Sequence, residues 1–186
     1  MSRKTAPISP EGRFSHSLDA LRNYAQAVLD HARKGGASDC EVDVSEGFGQ
    51  SVTVRCGEVE TIEYNRDKGI GVTVYLGQRK GHASTSDFSR AAIERTVQAA
   101  YDIARFTAED PFASLPDPED VATDWPDLQL FHPWSVDSEE AARLALRCEA
   151  AALAVDKRIT NSEGAGVSAQ QSHFFTAHTR GFRGGY

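Results

Sequence analysis

The chain has few cysteines and no long apolar run, and these absences limit the classes of protein to which it can belong. Its 186 residues include only three cysteines, Cys40, Cys56 and Cys148, whose spacing matches no metal-binding motif. Cys40 and Cys56 continue the apolar alternation of their segments, which predicts buried, unpaired thiols in a reducing compartment. No apolar run approaches the roughly 18 residues that a membrane span requires, and residues 1–15 hold no apolar stretch of signal-peptide length. We therefore expect a cytoplasmic protein that does not enter a membrane.

Basic residues are missing from one long segment. Residues 107–140 contain ten acidic side chains and neither lysine nor arginine, and the whole chain has a formal charge of −7. Nucleic-acid binding gains much of its free energy from counterions that Lys and Arg side chains displace from phosphates. This charge distribution therefore argues against a nucleic-acid partner.

The periodicity of residues 17–106 predicts an α+β unit made of a helix, several antiparallel strands and a second helix. Ser17 and Ser89 can each cap a helix whose apolar residues recur every three or four positions. From residue 40 to residue 86, apolar and polar residues alternate, as in strands with one buried face. Glycine-containing segments at 47–49, 57–58, 65–69 and 77–81 predict turns, and hence a meander of four or five short strands. Residues 1–16 precede this unit and are expected to be disordered.

Residues 107–135 are expected to be irregular, because they hold five of the seven prolines. The same segment contains three large aromatic residues, Trp125, Phe131 and Trp134. These side chains could form a protein interface or could cover the chain's own core, and the sequence leaves both interpretations open.

Residues 136–186 predict a third helix followed by further strands. Asp137 and Glu140 form a capping box at the start of the helix. A strand region is expected from Ile159, with a hairpin beginning in residues 167–182. No strand follows this pattern, so we expect a truncated fold that self-associates through an unpaired edge. The positions of the third helix expected to face inward are Ala141, Leu144, Ala145, Cys148, Ala152 and Val155.

The order of residues between 55 and 87 is similar to that of a known family. The matching positions are Arg55, Gly57, Glu60, Gly69, Gly71, Val72, Val74, Gly81, Ala83, Ser84, Thr85 and Asp87. In this order they resemble the N-terminal domain of the TldD/PmbA family, and residues 159–164 resemble its PmbA (TldE) branch. The resemblance runs from about Leu18 to the C-terminus and covers only the front part of a family member. It therefore implies an α+β domain, truncated before the family's C-terminal domain.

The resemblance also implies a function. Family members are cytoplasmic peptidase subunits, in which a TldD chain and a PmbA chain form one zinc protease that acts on unfolded peptides. A helical His-Glu-x-x-x-His motif of the TldD chain supplies the zinc site, and none of the six histidines here belongs to such a motif. We therefore expect no catalytic or metal-binding residue in this chain, a TldD-type partner that carries zinc, and an exposed sheet edge that binds the peptide. The alternative is a non-enzymatic binding module, since the family was once described as modulators of DNA gyrase.

Two pairs that include histidine could be mistaken for catalytic or metal sites. His82 and Ser84 share a strand face, but no carboxylate is placed to orient the histidine. His173 and His178 are an odd number of residues apart, which predicts opposite faces of one strand and argues against a shared metal. We expect both pairs to be structural.

Two further groups resemble binding or acid–base motifs. Gly69-Ile70-Gly71 continues into a strand instead of a helix, so close packing of strands is expected there instead of a dinucleotide loop. Glu58, Glu60 and Glu63 cluster around one hairpin. Paired carboxylates can perform acid–base chemistry, but a solvated acidic surface is expected here.

Overall fold

A computed structural model describes residues 13–124, 126 and 128–186. Within them the chain divides into two compact units. Unit 1 contains the described residues of 1–46, 67–131 and 173–186, and unit 2 contains residues 47–66 and 132–172. The elements in chain order are α1 (Leu18–Lys34), β1 (Asp39–Arg55), β2 (Glu58–Leu76), β3 (Arg79–Thr85), α2 (Arg90–Phe106), a short 3-10 turn (Pro118–Asp120), α3 (Ser138–Leu153), β4 (Ala165–His178) and β5 (Arg183–Gly185).

The strands form one antiparallel sheet in the order β3-β2-β1-β4-β5. The α+β class is confirmed, but the predicted turns at 47–49 and 65–69 are wrong, because β1 and β2 each run straight through them. Gly49 is needed for close approach to a neighbouring strand. A Cβ atom there would overlap the carbonyl oxygen of Ala169 in β4. In place of the expected four or five short strands there are two long ones, β1 and β2, and one short one, β3.

In unit 1, both helices begin after the residues that the sequence predicts as caps. The hydroxyl of Ser17 accepts a hydrogen bond from the N–H of Ala20, and Ser89 caps α2 through Ala92 in the same way. Gly35 ends α1. The inward residues of the helices pack against alternate residues of the strands. This core contains Leu21, Ala25, Val28, Leu29, Ala32, Cys40, Val42, Val44, Ile70, Val72, Val74, Phe88, Ile93, Val97, Ala100, Phe175 and Ala177.

The proline-rich segment is held to unit 1 by its backbone. The guanidinium of Arg180 donates hydrogen bonds to the carbonyl oxygens of Leu115 and Pro116, and it also pairs with Asp39 at 2.8 Å. Ala113 and Leu115 are buried. In the described part of residues 107–135, the 3-10 turn is the one regular element. Arginine thus satisfies carbonyl groups that a regular element would otherwise pair.

In unit 2, α3 packs on β1 and β4 through a small apolar cluster of Val52, Ala141 and Ala142, with Val136 and Val167 beside it. The side chain of Asp137 accepts a hydrogen bond from the N–H of Glu140, so the predicted cap is confirmed. The predicted inward stripe is wrong in its second half, where Cys148, Ala152 and Val155 are exposed. Glu149 is buried instead, because its carboxylate binds backbone N–H groups of the turn between β1 and β2.

The C-terminal strands also differ from expectation. Residues 159–164 are not a strand, and β4 begins only at Ala165. The expectation that no strand follows residues 167–182 is wrong, because β5 pairs with the end of β4 in a register that joins Phe175 with Gly185 and Ala177 with Arg183. None of the helices in the described residues combines the length and the hydropathy of a membrane span.

Candidate functional site

A two-residue turn joins β1 to β2 in unit 2. Cys56 and Gly57 both have positive φ angles, 52° and 80°, as the tightest hairpin turns require. The carboxylate of Glu149 accepts hydrogen bonds from the backbone N–H groups of Cys56 (2.9 Å) and Gly57 (2.8 Å). The bond from Gly57 is the largest cause of a lowered pKa for Glu149. Cys56 lies in this turn and is exposed, so the prediction that it is a buried strand residue is wrong.

The half of β2 that follows this turn is exposed on both faces. Every residue from Glu58 to Lys68 is exposed, including Val59 (45% exposed), Ile62 (48%) and Tyr64 (71%). The register of β2 with β3 covers only Ile70–Leu76. In the described part of the chain, the outer edge of β2 in unit 2 therefore presents unpaired backbone groups beside apolar side chains. We call residues 58–65 the β2 edge.

The acidic side chains of the β2 edge are solvated. Glu58, Glu60 and Glu63 are all exposed, as expected for an acidic surface. Glu60, one of the residues that carry the family pattern, thus lies in the middle of the edge. Arg55, another of these residues, ends β1, and its Nε donates to the carbonyl oxygen of Ser162 at 3.4 Å.

The glycines of the family pattern have different surroundings. A Cβ atom on Gly81 in β3 would overlap the backbone of Ala100 and lie 2.9 Å from Cβ of Ile103, so α2 packs directly on this glycine. A Cβ atom on Gly71 would lie 3.4 Å from Cε1 of His82, in ordinary contact. Gly69 has open space around it. Close packing is therefore the role of Gly81 and not of Gly69.

The last three residues of the family pattern lie at the end of β3 and in the turn from β3 into α2. Ser84 pairs with Gly71 across the sheet. The Thr85 hydroxyl accepts a hydrogen bond from the N–H of Asp87, and the Asp87 carboxylate accepts one from the N–H of Ser89. This last bond lowers the pKa of Asp87. His82 lies 3.1 Å from the hydroxyl of Thr73, so it pairs across strands instead of with Ser84.

The three aromatic residues proposed for an interface do not share one environment. Trp125 lies outside the described residues. Phe131 belongs to unit 1 and contacts Phe14, with ring centroids 6.2 Å apart. Trp134 belongs to unit 2 and is 49% exposed.

A buried carboxylate in unit 1 had no signal in the sequence. Glu46 is 2% exposed and accepts hydrogen bonds from the backbone N–H groups of Ser15 (2.9 Å) and His16 (3.1 Å). Burial opposes its ionisation, but the hydrogen bonds from Ser15 and His16 prevail and lower the pKa of Glu46 to about 2. Ser15 and His16 were assigned to a disordered segment, whereas this carboxylate holds them in place. Residues 1–12 of that segment lie outside the described residues.

His173 completes the surroundings of Glu46. Its ring stacks on Phe14 at 4.0 Å, and its Nε2 lies 3.8 Å from the Glu46 carboxylate, beyond hydrogen-bond distance. Burial is the main cause of a lowered pKa for His173 and also for His178. Both histidines are buried. His178 stacks on Phe182 near the end of β4, with ring centroids 5.7 Å apart.

Comparison with known proteins adds the family. Residues 40–104 match a model described as PmbA/TldA metallopeptidase domain 1, and residues 131–186 match the PmbA/TldA metallopeptidase central domain. The chain is 49% identical over 172 residues to the Metalloprotease PmbA of Escherichia coli O157:H7, a match that covers 91% of this chain and 38% of that protein. It is 45% identical over 145 residues to a Metalloprotease PmbA homolog of Haemophilus influenzae, covering 78% of this chain and 32% of that protein.

Solved structures show the same fold. A protein of Bacteroides thetaiotaomicron described as a modulator of DNA gyrase superposes with a TM-score of 0.77 at 22% identity, covering 91% of this chain and 39% of that one. TldE from Thermococcus kodakarensis superposes with a TM-score of 0.69 at 13% identity, covering 88% and 36%. The chain therefore spans less than two fifths of the length of these relatives. By its sequence identity and its two matched domains, it belongs to the PmbA/TldA metallopeptidase family, the TldD/PmbA family of the resemblance above.

Proposed function

We propose that this chain is the peptide-holding part of a PmbA-type subunit, which works in a metallopeptidase together with a zinc-carrying TldD-type subunit. The observation that carries this proposal is the β2 edge, where unpaired backbone groups and exposed apolar side chains lie along one strand. Such an edge binds an extended peptide as an added strand, with main-chain hydrogen bonds that any sequence can form. An unfolded substrate in the cytoplasm fits this mode.

The described residues of this chain do not fit the zinc that the family name implies. Among the described residues, no group of three or more His, Cys, Asp or Glu side chains can hold a metal ion. Glu46 lies beside His16 and His173, but its carboxylate already accepts two backbone N–H groups. Zinc would polarise a peptide carbonyl and activate water in the partner subunit. This chain would contribute by holding the substrate extended.

A reconstitution experiment tests the proposal. An unfolded peptide is incubated with this chain, with a TldD-type subunit, and with both, and cleavage is followed by mass spectrometry with and without a zinc chelator. We expect cleavage above background only with both chains and zinc, and no stoichiometric zinc in this chain alone by elemental analysis. Cleavage at the same rate without this chain would show that it has no part in catalysis. It would favour the alternative, a non-enzymatic binding module.

A further inference from the structure

We propose that the β2 edge selects peptides by sequence and by direction. It prefers a peptide in which every second residue is, in order, apolar, apolar, basic and basic. This inference rests on the proposed function, because it names the class of peptide that the edge would hold. The preferred heptapeptide has the form apolar-x-apolar-x-basic-x-basic, read from its N-terminus.

The order of side chains along the edge carries the first part of the argument. In a strand, every second residue lies on the same face. One face of the β2 edge therefore presents, in chain order, Glu58, Glu60, Ile62 and Tyr64. The two carboxylates come first and the two apolar groups follow. An added strand would meet an acidic half and an apolar half on this face.

Charge complementarity fixes what the acidic half prefers. Residues 58–65 contain three glutamates and no lysine or arginine. The third, Glu63, lies on the opposite face of the strand. Opposite charges that face each other across strands are favourable, and like charges are unfavourable. Lys or Arg is therefore preferred opposite Glu58 and Glu60, and an acidic peptide is rejected there.

The apolar half has its own preference. Ile62 is 48% exposed and Tyr64 is 71% exposed, so both keep much of their apolar surface in water. An aliphatic side chain on a neighbouring strand would cover part of this surface. Aromatic and β-branched residues that face each other across strands form favourable pairs. Val or Ile is therefore preferred opposite these two positions.

The direction of the peptide follows from the sheet. β2 pairs with β3 in antiparallel register, and β4 pairs with β5 in the same way. Antiparallel pairing is also slightly more stable per residue than parallel pairing. In an antiparallel complex, the first residue of a heptapeptide lies opposite Tyr64, the third opposite Ile62, the fifth opposite Glu60 and the seventh opposite Glu58. This register gives the apolar-first order.

Two heptapeptides of identical composition test the proposal. Val-Thr-Val-Thr-Lys-Thr-Lys has the preferred order and Lys-Thr-Lys-Thr-Val-Thr-Val has the reverse order, each with blocked termini and a fluorescent label. Binding to the 186-residue chain is measured by fluorescence anisotropy. We expect the first peptide to bind at least about threefold more tightly. Equal affinities would overturn the proposal, and so would tighter binding of the reversed peptide.

Backbone methylation separates strand addition from charge attraction. Two versions of the preferred peptide carry N-methyl groups, one at odd positions and one at even positions. Because only one edge of an added strand faces β2, one version should lose binding and the other should keep it. Two versions that bind as well as the parent would show attraction by charge alone and would overturn strand addition.

Substitutions in the chain locate the binding site. The double variant Glu58→Gln, Glu60→Gln should lose the preference for lysine over glutamine at peptide positions five and seven. Glu163→Gln, the same change at an exposed glutamate of unit 2 outside the edge, should keep it. An unchanged preference in the double variant would overturn the assignment. A dimer of the chain that the peptide does not dissociate, measured by sedimentation, would also overturn it. These measurements need no TldD-type subunit. Their outcome therefore does not depend on the cleavage experiment, and the two proposals can fail separately.

Discussion

At the scale of single residues, identical residue types have different physical roles in this fold. Gly81 lets α2 approach β3, whereas Gly69 has open space where a Cβ atom would lie. Both glycines belong to the pattern that identifies the family. Their presence in the pattern was readable from the sequence, but their contacts were not, because the sequence does not show which helix covers which strand.

Replacing these two glycines by alanine should have unequal effects on stability. Gly81→Ala inserts a methyl group against the backbone of α2 and should lower the free energy of unfolding by about 1–3 kcal/mol. Gly69→Ala is the matched control and should change it by less than about 1 kcal/mol, because nothing lies within 4 Å of the added atom. Urea unfolding followed by circular dichroism measures both. Equal losses of stability would contradict the assigned packing.

The three cysteines should differ in reactivity. Cys40 is buried in the unit 1 core, and burial is the largest cause of a raised pKa, to about 12. Cys56 and Cys148 are exposed. A maleimide reagent under native conditions should therefore modify two thiols rapidly and the third only after unfolding. Peptide mapping by mass spectrometry identifies the protected one, and rapid modification of Cys40 would contradict a packed core.

At the scale of secondary structure, the N-terminal starts of the helices were predictable and the ends of the strands were not. Capping by Ser17, Ser89 and Asp137 depends on residues three positions away, so the information lies within one short segment. A strand ends where its partner ends. The turn predicted at 47–49 is absent because β4, distant in sequence, lies against Gly47 and Gly49 and keeps β1 extended there.

The turn between β1 and β2 should depend on Glu149. Glu149→Gln keeps the size of the side chain but leaves one oxygen to accept the two N–H groups of Cys56 and Gly57. We expect a Tm lower by several degrees and faster hydrogen exchange at these two amides. Glu163→Gln makes the same chemical change at an exposed position and should leave the Tm unchanged. Unaltered exchange at Cys56 and Gly57 in the Glu149 variant would contradict the proposed anchor.

At the scale of the whole molecule, stability should fall on acidification in two steps. The pKa of His173 and that of His178 lie below the ordinary value of 6.5, mainly because of burial, so the folded state prefers the neutral rings. This contribution is complete above pH 6.5 and is lost as the pH falls toward the lowered pKa values. Glu46 has a pKa of about 2 in place of 4.5, so its contribution is lost between pH 4.5 and about pH 2.

Thermal unfolding between pH 8 and pH 3 measures this dependence. The Tm should decline first below about pH 6.5 and again below about pH 4.5. Glu46→Gln should weaken the second decline and make the first steeper, because the Glu46 carboxylate partly offsets the lowered pKa of His173. A Tm that rises between pH 7 and pH 5 would contradict the burial of neutral histidines.

The sequence by itself determined where the helices begin and which residues cap them, the alternation that buries one face of β1 and of the second half of β2, and the family. Each of these depends on residue spacing within a short segment, or on the order of residues along the chain. Only the tertiary structure decided that Glu46 holds Ser15 and His16 from about 30 positions away and that Glu149 turns inward to bind Gly57. It alone also left the β2 edge without a strand partner among the described residues. The physical reason is that a buried carboxylate and an open edge are defined by groups that meet only after folding, and no local pattern encodes that meeting.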